Sequence, residues 1–221
     1  DNKNIDVASL GAITARDEAN GGFRIDYIYK SDPDFPDGIS PLYDPYLDIR
    51  EGDVITKVNN ADALAALDIG ELIRNQANKQ IRLTLKRGTD IRDVIIKPIG
   101  SDYWLRHTDW QYGNRLKVEK ESENKIGYLH MSAMGDWDLE RFYKQFYSIY
   151  NRKGLIIDVR NNGGGNVEAA VIEKLLIKAW MYWKDRNGEP YSNMHYAFTG
   201  HLVVLVNEQT GSNGETFPEG I

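Results

Sequence analysis

His201–Ile221, HLVVLVNEQTGSNGETFPEGI, joins an apolar run to a polar turn and then to the start of a helix. Leu202-Val203-Val204-Leu205-Val206 reads as a strand buried on both faces, the pattern of a parallel sheet covered by helices. Asn207-Glu208-Gln209-Thr210-Gly211 supplies turn-forming residues, and Ser212-Asn213-Gly214-Glu215 reads as a first helical turn. A serine where a buried strand passes into a helix stands where α/β enzymes often hold a nucleophile. The same four residues also satisfy a capping box, serine at the N-cap and glutamate three positions on, so a structural role for Ser212 stands beside the chemical one. The G-x-S-x-G elbow is not met, because position 210 is Thr.

Upstream, strands and helices alternate. Ile126–Met131 is a short apolar strand, and Asp138–Tyr150 carries Leu139, Phe142, Phe146 and Ile149 at helical spacing. Gly154–Val159 is a second buried strand, Asn161–Asn166 a glycine-rich turn, and Val167–Ala179 a second helix; a loop around Asn187-Gly188-Glu189-Pro190 leads back to the stretch at 201. This order predicts parallel βαβ units. In Asp158-Val159-Arg160-Asn161-Asn162-Gly163-Gly164-Gly165-Asn166, glycines allow close backbone approach, and N–H groups at a helix start favour an anion or a developing oxyanion. No Gly-Lys-Ser/Thr follows, which excludes a phosphate loop, and Glu168 occupies the place of the third glycine of a dinucleotide fingerprint. Taken singly, the segment is equally a plain connector. Paired with the serine turn, it would bring glycine N–H groups near a hydroxyl, as acyl transfer requires.

The full chain has 221 residues, 41% of them apolar, enough for one large or two modest domains with packed cores. A net charge of −6 and the lack of any Lys/Arg run argue against a nucleic-acid partner. With no cysteine, disulfides, thiol catalysis and thiolate metal sites are excluded. His107, His130, His195 and His201 form no metal motif and no recognisable triad spacing, so no metal or cofactor is expected and each histidine reads as structural or solvated. No apolar run approaches membrane-span length. The start at Asp1 and the stop at Ile221 inside a helix-like pattern read as an internal piece of a longer protein, with the compartment, cytoplasmic or periplasmic, left open.

Residues 1–7 read as a linker, 8–100 as a β-rich domain, and 101–124 as a helical connector in which Tyr103, Trp104, Trp110 and Leu116 would lay one face on a neighbour. Within the β-rich domain Phe23, Ile25, Tyr27 and Tyr29 alternate, Ser31–Pro45 is a proline-rich excursion, and Glu51-Gly52-Asp53 turns into Val54–Val58. Ala63–Gln76 has helical spacing through Leu64, Leu67, Leu72 and Ile73; Ile81, Leu83, Leu85, Val94 and Ile96 alternate about Arg87-Gly88-Thr89-Asp90. This pattern, with Ser40-Pro41-Leu42 and Val58-Asn59, resembles a PDZ domain in the strand order of bacterial and archaeal proteases. Such a fold binds an extended chain end as an added strand; an ordinary scaffold domain is the alternative.

The paired segments 154–165 and 202–215 resemble the core of the C-terminal processing peptidase superfamily, in its tricorn-type branch. Asp109-Trp110, Ile126–His130 and Ala197-Phe198-Thr199-Gly200 add to the likeness. The resemblance implies an α+β PDZ-like domain followed by a partial α/β, crotonase-like catalytic core at 125–221, cut off just after the nucleophile. It implies a serine peptidase acting on peptides or proteins, with Ser212 as nucleophile and an oxyanion hole from the N–H groups of Asn213 and of Gly164 or Gly165. It implies that the base, a histidine, and an orienting glutamate lie outside this chain, so that residues 1–221 alone are inactive, and that a homo-oligomer is plausible. Asn213 departs from the Asp often found in tricorn-type sequences, without affecting a backbone donor. Two other readings stand beside this one: a non-catalytic peptide-binding scaffold, and an oxyanion hole for an acyl thioester as in crotonases.

Overall fold

The computed structural model describes residues 6–35 and 38–221; residues 1–5 of the expected linker at 1–7 and the Pro36-Asp37 part of the excursion lie outside the described residues. Two compact units result, Asp1–Tyr112 and Gly113–Ile221.

In the first unit β1 (Ala12–Asp17) and β2 (Gly22–Ile28) form a hairpin. After the excursion come β3 (Val54–Val58), β4 (Ala61–Asp62), the single-turn α1 (Ile69–Leu72), β5 (Ile81–Arg87) and β6 (Asp90–Ile96). The sheet runs β1-β2-β3-β5-β6, with β4 appended to β3. Phe23, Ile25, Ile55, Leu83 and Leu85 fill its inner face together with Leu42 from the excursion. The expected alternation through Tyr27 breaks. Ile13 pairs with Tyr27 and Thr14 with Ile25, so Asp26 bulges out of β2 and Ile28 turns inward.

The helix expected over Ala63–Gln76 is not continuous. Asp62 accepts a hydrogen bond from the Leu64 N–H and Asp68 from the Gly70 N–H, so each starts its own short turn, with Ala66 extended between them. Aspartate favours such local bonds over helix interiors, and Leu67 is left 85% exposed.

Asp53, from the Glu51-Gly52-Asp53 turn, is buried and held by a two-pronged Arg87 guanidinium, Nε to Oδ1 at 2.6 Å and Nη2 to Oδ2 at 2.8 Å. Asp53 and Asp48 together raise the Arg87 pKa above its ordinary value.

The connector is helical, as α2 (Tyr103–Glu121), but its expected apolar face is exposed at Tyr103, Trp104 and Leu116, and only Leu105 is buried. The spacing of large rings predicted a helix; it did not determine which side is covered.

The second unit contains β7 (Ile126–His130), α3 (Asp136–Ile149), β8 (Gly154–Asp158), α4 (Glu168–Leu175), a short hairpin of β9 (Tyr182–Trp183) and β10 (Tyr191–Ser192), β11 (His201–Leu205) and α5 (Asn213–Glu219). The sheet order is β11-β8-β7, all parallel, as the strand–helix alternation predicts. Phe142 and Phe146 of α3, Val171 and Leu175 of α4 and Phe217 of α5 pack with Leu129, Leu155 and Ile157 of the sheet. One expectation is corrected. β11 is an edge strand rather than one buried on both faces: it pairs only with β8 among the described residues, and Val203 and Val206 are half exposed. An apolar run signals low polarity, and does not report whether a second neighbour covers it.

Removing the guanidinium of Arg87 would leave the buried Asp53 carboxylate with only the Arg50 N–H at 3.0 Å and the more distant Arg92 guanidinium at 3.9 Å. Arg87→Ala is expected to lower the midpoint of a denaturant titration, because breaking the pair leaves a buried carboxylate undercompensated; an unchanged midpoint would show that the pair contributes nothing.

Candidate active site

The strands of the second unit end level, with His130, Asp158 and Leu205 in register. Beyond that edge three loops converge, and most of their joints are made by asparagine and threonine. Asn162 is fully buried. Its Nδ2 donates to the Met131 carbonyl at 2.9 Å, its Oδ1 accepts from the Gly164 N–H at 2.8 Å, and its own carbonyl accepts from the Gly211 N–H at 2.9 Å. One residue thus ties the loop after β7, the glycine turn after β8 and the serine turn after β11. Asn161 and Asn207 add a reciprocal pair: Asn207 Oδ1 accepts from the Asn161 N–H, and Asn207 Nδ2 donates to Asn161 Oδ1, both at 2.9 Å. Thr210, buried, donates to the Val159 carbonyl at 2.9 Å.

Ser212 sits on this support with φ 53° and ψ −130°, a left-handed conformation that costs a non-glycine residue about 1–3 kcal/mol. Its side chain makes no capping hydrogen bond, and the residue is exposed. The capping-box reading is therefore corrected: the Ser212 carbonyl accepts from the Glu215 N–H as α5 begins, while the hydroxyl stays uncommitted among the described residues. A cap residue takes ordinary extended backbone angles, and the positive φ of Ser212 is incompatible with that geometry.

The glycine turn lies against this serine. Gly164, at φ 87°, has no room for a side chain: a Cβ there would lie 2.5 Å from the Ser212 Cβ and 3.0 Å from its Oγ. Gly165, at φ 154°, passes so close to the loop after β7 that a Cβ would meet the Met134 carbonyl oxygen at 2.0 Å. The two glycines differ in their donors. The Gly164 N–H is taken by Asn162, whereas those of Gly165 and of Asn213 make no hydrogen bond among the described residues. The Asn213 side chain donates from Nδ2 to Glu168 Oε2 at 2.5 Å.

Beneath the turns Asp158 is fully buried, bonded by Arg160 (Nη2 to Oδ2, 2.5 Å) and by the Tyr128 hydroxyl at 2.8 Å. Burial acts to raise its pKa, but the bonds from Arg160 and Tyr128 outweigh it and hold the carboxyl below its ordinary range. Burial and the same carboxylate push the Tyr128 phenol well above its ordinary value. His130 Nε2 lies 3.1 Å from the Arg160 carbonyl, and no described histidine is hydrogen-bonded to Ser212. Among the described residues no group of three His, Asp or Glu is placed to hold a metal ion.

The sequence pointed to Ser212 and the glycine turn by position, and the family resemblance to Asn213 and to Gly164 or Gly165; both missed Asn162, Thr210, the Asn161–Asn207 pair and the Glu168 partner of Asn213. The Asn-Asn doublet before the glycines was the available signal for the first of these.

Residues 8–101 match the tricorn protease PDZ domain, and residues 125–221 match peptidase family S41. Together these matches cover most of the chain, which carries a tricorn-type PDZ domain followed by a region of peptidase family S41. A tricorn protease homolog of Saccharolobus solfataricus is 32% identical over 216 residues, 96% of this chain and 20% of that protein. The tricorn protease of Thermoplasma volcanium is 30% identical over 217 residues, 96% of this chain and 21% of its own length. A crystal structure of the tricorn protease superposes with a TM-score of 0.83 at 29% identity, covering 95% of this chain and 20% of that one. The chain therefore spans about a fifth of the length of these relatives.

Because the Asp158 carboxyl is lowered on folding, its stabilising effect is present above the unfolded value of about 3.9 and is lost as pH falls through the folded value. Asp158→Asn is expected to lower Tm at neutral pH, with the gap to the unaltered chain closing as the pH drops below about 3.9. A gap that stays constant into strong acid would refute this account of the carboxylate. Gly164→Ala should cost about 1–3 kcal/mol from its positive φ alone, and the Cβ contact with Ser212 should add to that; a neutral effect on thermal unfolding would contradict the packing described.

Proposed function

We propose that the second unit carries the nucleophile and the oxyanion donors of a serine peptidase acting on peptides. The observation that supports this best is Ser212: an exposed, uncommitted hydroxyl on a strained turn at the C-terminal end of a parallel strand, against a glycine turn. In the proposed reaction Ser212 Oγ attacks the scissile carbonyl carbon and its proton passes to a general base. The tetrahedral oxyanion accepts hydrogen bonds from the N–H groups of Asn213 and Gly165, which make no other hydrogen bond among the described residues. Collapse expels the amine with that proton and leaves an acyl ester on Ser212, which water then hydrolyses. Removal of one such donor typically costs 10²–10³ in rate. Gly164, with its N–H already bonded to Asn162, would serve by its missing side chain. No described histidine meets Ser212, so the proposal assigns the base to a group outside these 221 residues.

A second reading has its own support. A cavity of about 520 Å³ in the first unit is walled by Leu10, Ala12, Ile13, Tyr29, Ile69 and Ile73, and β1 pairs only with β2 among the described residues. An extended peptide added along β1 would lay side chains into that cavity, whether as substrate delivery or as the chain's sole role.

A fluorophosphonate probe on the intact protein separates the two. Peptidase function predicts phosphonylation confined to Ser212 and abolished in Ser212→Ala, together with oligopeptide hydrolysis lost in the same variant. Retained peptide binding with an unlabelled Ser212 would favour the scaffold reading. Robust hydrolysis by residues 1–221 alone would overturn the placement of the base.

A further inference from the structure

Glu168 takes no part in the reaction just outlined, yet it holds one of its donors. It is the first residue of α4, as Asn213 is of α5, and the Asn213 Nδ2 donates to its Oε2 at 2.5 Å across 45 positions of sequence. Each helix follows one of the two turns that carry a free N–H: Gly165 stands three residues before Glu168, and Asn213 directly follows Ser212. This bond is therefore a direct side-chain tie between the two halves of the proposed oxyanion site.

The chemistry of the pair is also selective. A carboxylate in the first turn of α4 is favoured by the helix dipole, and an amide at 213 can donate to it. An aspartate at 213 would instead set two carboxylates at hydrogen-bond distance, where like charges raise each other's cost of ionisation.

We propose that Glu168 is a positioning residue: by accepting from the Asn213 side chain it fixes the orientation of the Ser212–Asn213 peptide, and hence the angle at which the Asn213 N–H meets the oxyanion opposite Gly165. The inference rests on Ser212 being the nucleophile. It predicts that Glu168 acts on the chemical step rather than on substrate binding, since the side chain reaches substrate only through Asn213.

The test uses the intact protein and reads two quantities, the rate of Ser212 phosphonylation by a fluorophosphonate and the separate kcat and KM for an oligopeptide. Glu168→Ala should lower kcat and the phosphonylation rate by about tenfold, as expected for a misaligned rather than a deleted donor, with KM nearly unchanged. Glu168→Gln keeps an acceptor oxygen and should retain most of the rate. Asn213→Asp should lose rate as Glu168→Ala does, and the double variant Glu168→Gln with Asn213→Asp should recover it, because the amide and the carboxylate have exchanged places. A mere staple between helices would show its loss in Tm and in folded fraction, and not in kcat per folded molecule. The proposal is overturned if Glu168→Ala stays within twofold in kcat per folded molecule, or if the exchanged pair fails to recover rate while folding normally. Should Glu168→Ala not fold, the exchanged pair still decides. Lack of phosphonylation in the unaltered protein would instead sink the nucleophile assignment, and this inference with it.

Discussion

The loops at the candidate site of the second unit are joined by three hydrogen bonds of a single buried residue, Asn162. Its side-chain amide and main-chain carbonyl satisfy a carbonyl after β7, an N–H in the glycine turn and an N–H in the serine turn. Each of those groups belongs to irregular backbone, where secondary structure supplies no partner, and a buried polar group left unpaired costs about 1–3 kcal/mol. A side chain with both a donor and an acceptor is needed at that point, so an aliphatic residue of equal size would leave two loops unsatisfied at once. Because the same three loops carry Met134, Gly165 and Ser212, this one residue ties together the backbone segments that hold the candidate reacting groups.

That support also explains how a strained serine persists. A φ of 53° opposes folding locally, and it survives only where neighbours over-determine the turn. Gly211 is held by Asn162, Thr210 by Val159, and Asn207 by Asn161, so the residues leading into Ser212 have little freedom to relax. Freed from a capping role, the hydroxyl is available for chemistry. Beneath the turns, the Asp158–Arg160–Tyr128 cluster ties the end of β8 with charge-assisted hydrogen bonds.

Legibility in the sequence followed the range of the interactions. The strands β7, β8 and β11 and their parallel order could be read because apolar runs and helical stripes are local patterns. The glycine and serine turns were legible because turn residues carry their own backbone preferences. What escaped was non-local or competitive. The Glu168–Asn213 bond and the Asn161–Asn207 pair join positions more than forty residues apart, which no spacing rule reaches. The segment after Ala63 broke into two short turns because Asp62 and Asp68 outcompeted a stripe of leucines. Ser212 fitted a cap by composition, and its backbone angles alone excluded it.

The position of β11 at the rim of its sheet has a practical side. Among the described residues β11 is paired on one flank only, so it offers unpaired amide and carbonyl groups beside half-exposed Val203 and, just past its end, Val206. Such an edge is a template for further strand pairing. The strand that delivers the serine is therefore also the surface through which separate copies of this 221-residue polypeptide would adhere in concentrated solution, unless another strand or a covering segment occupies it.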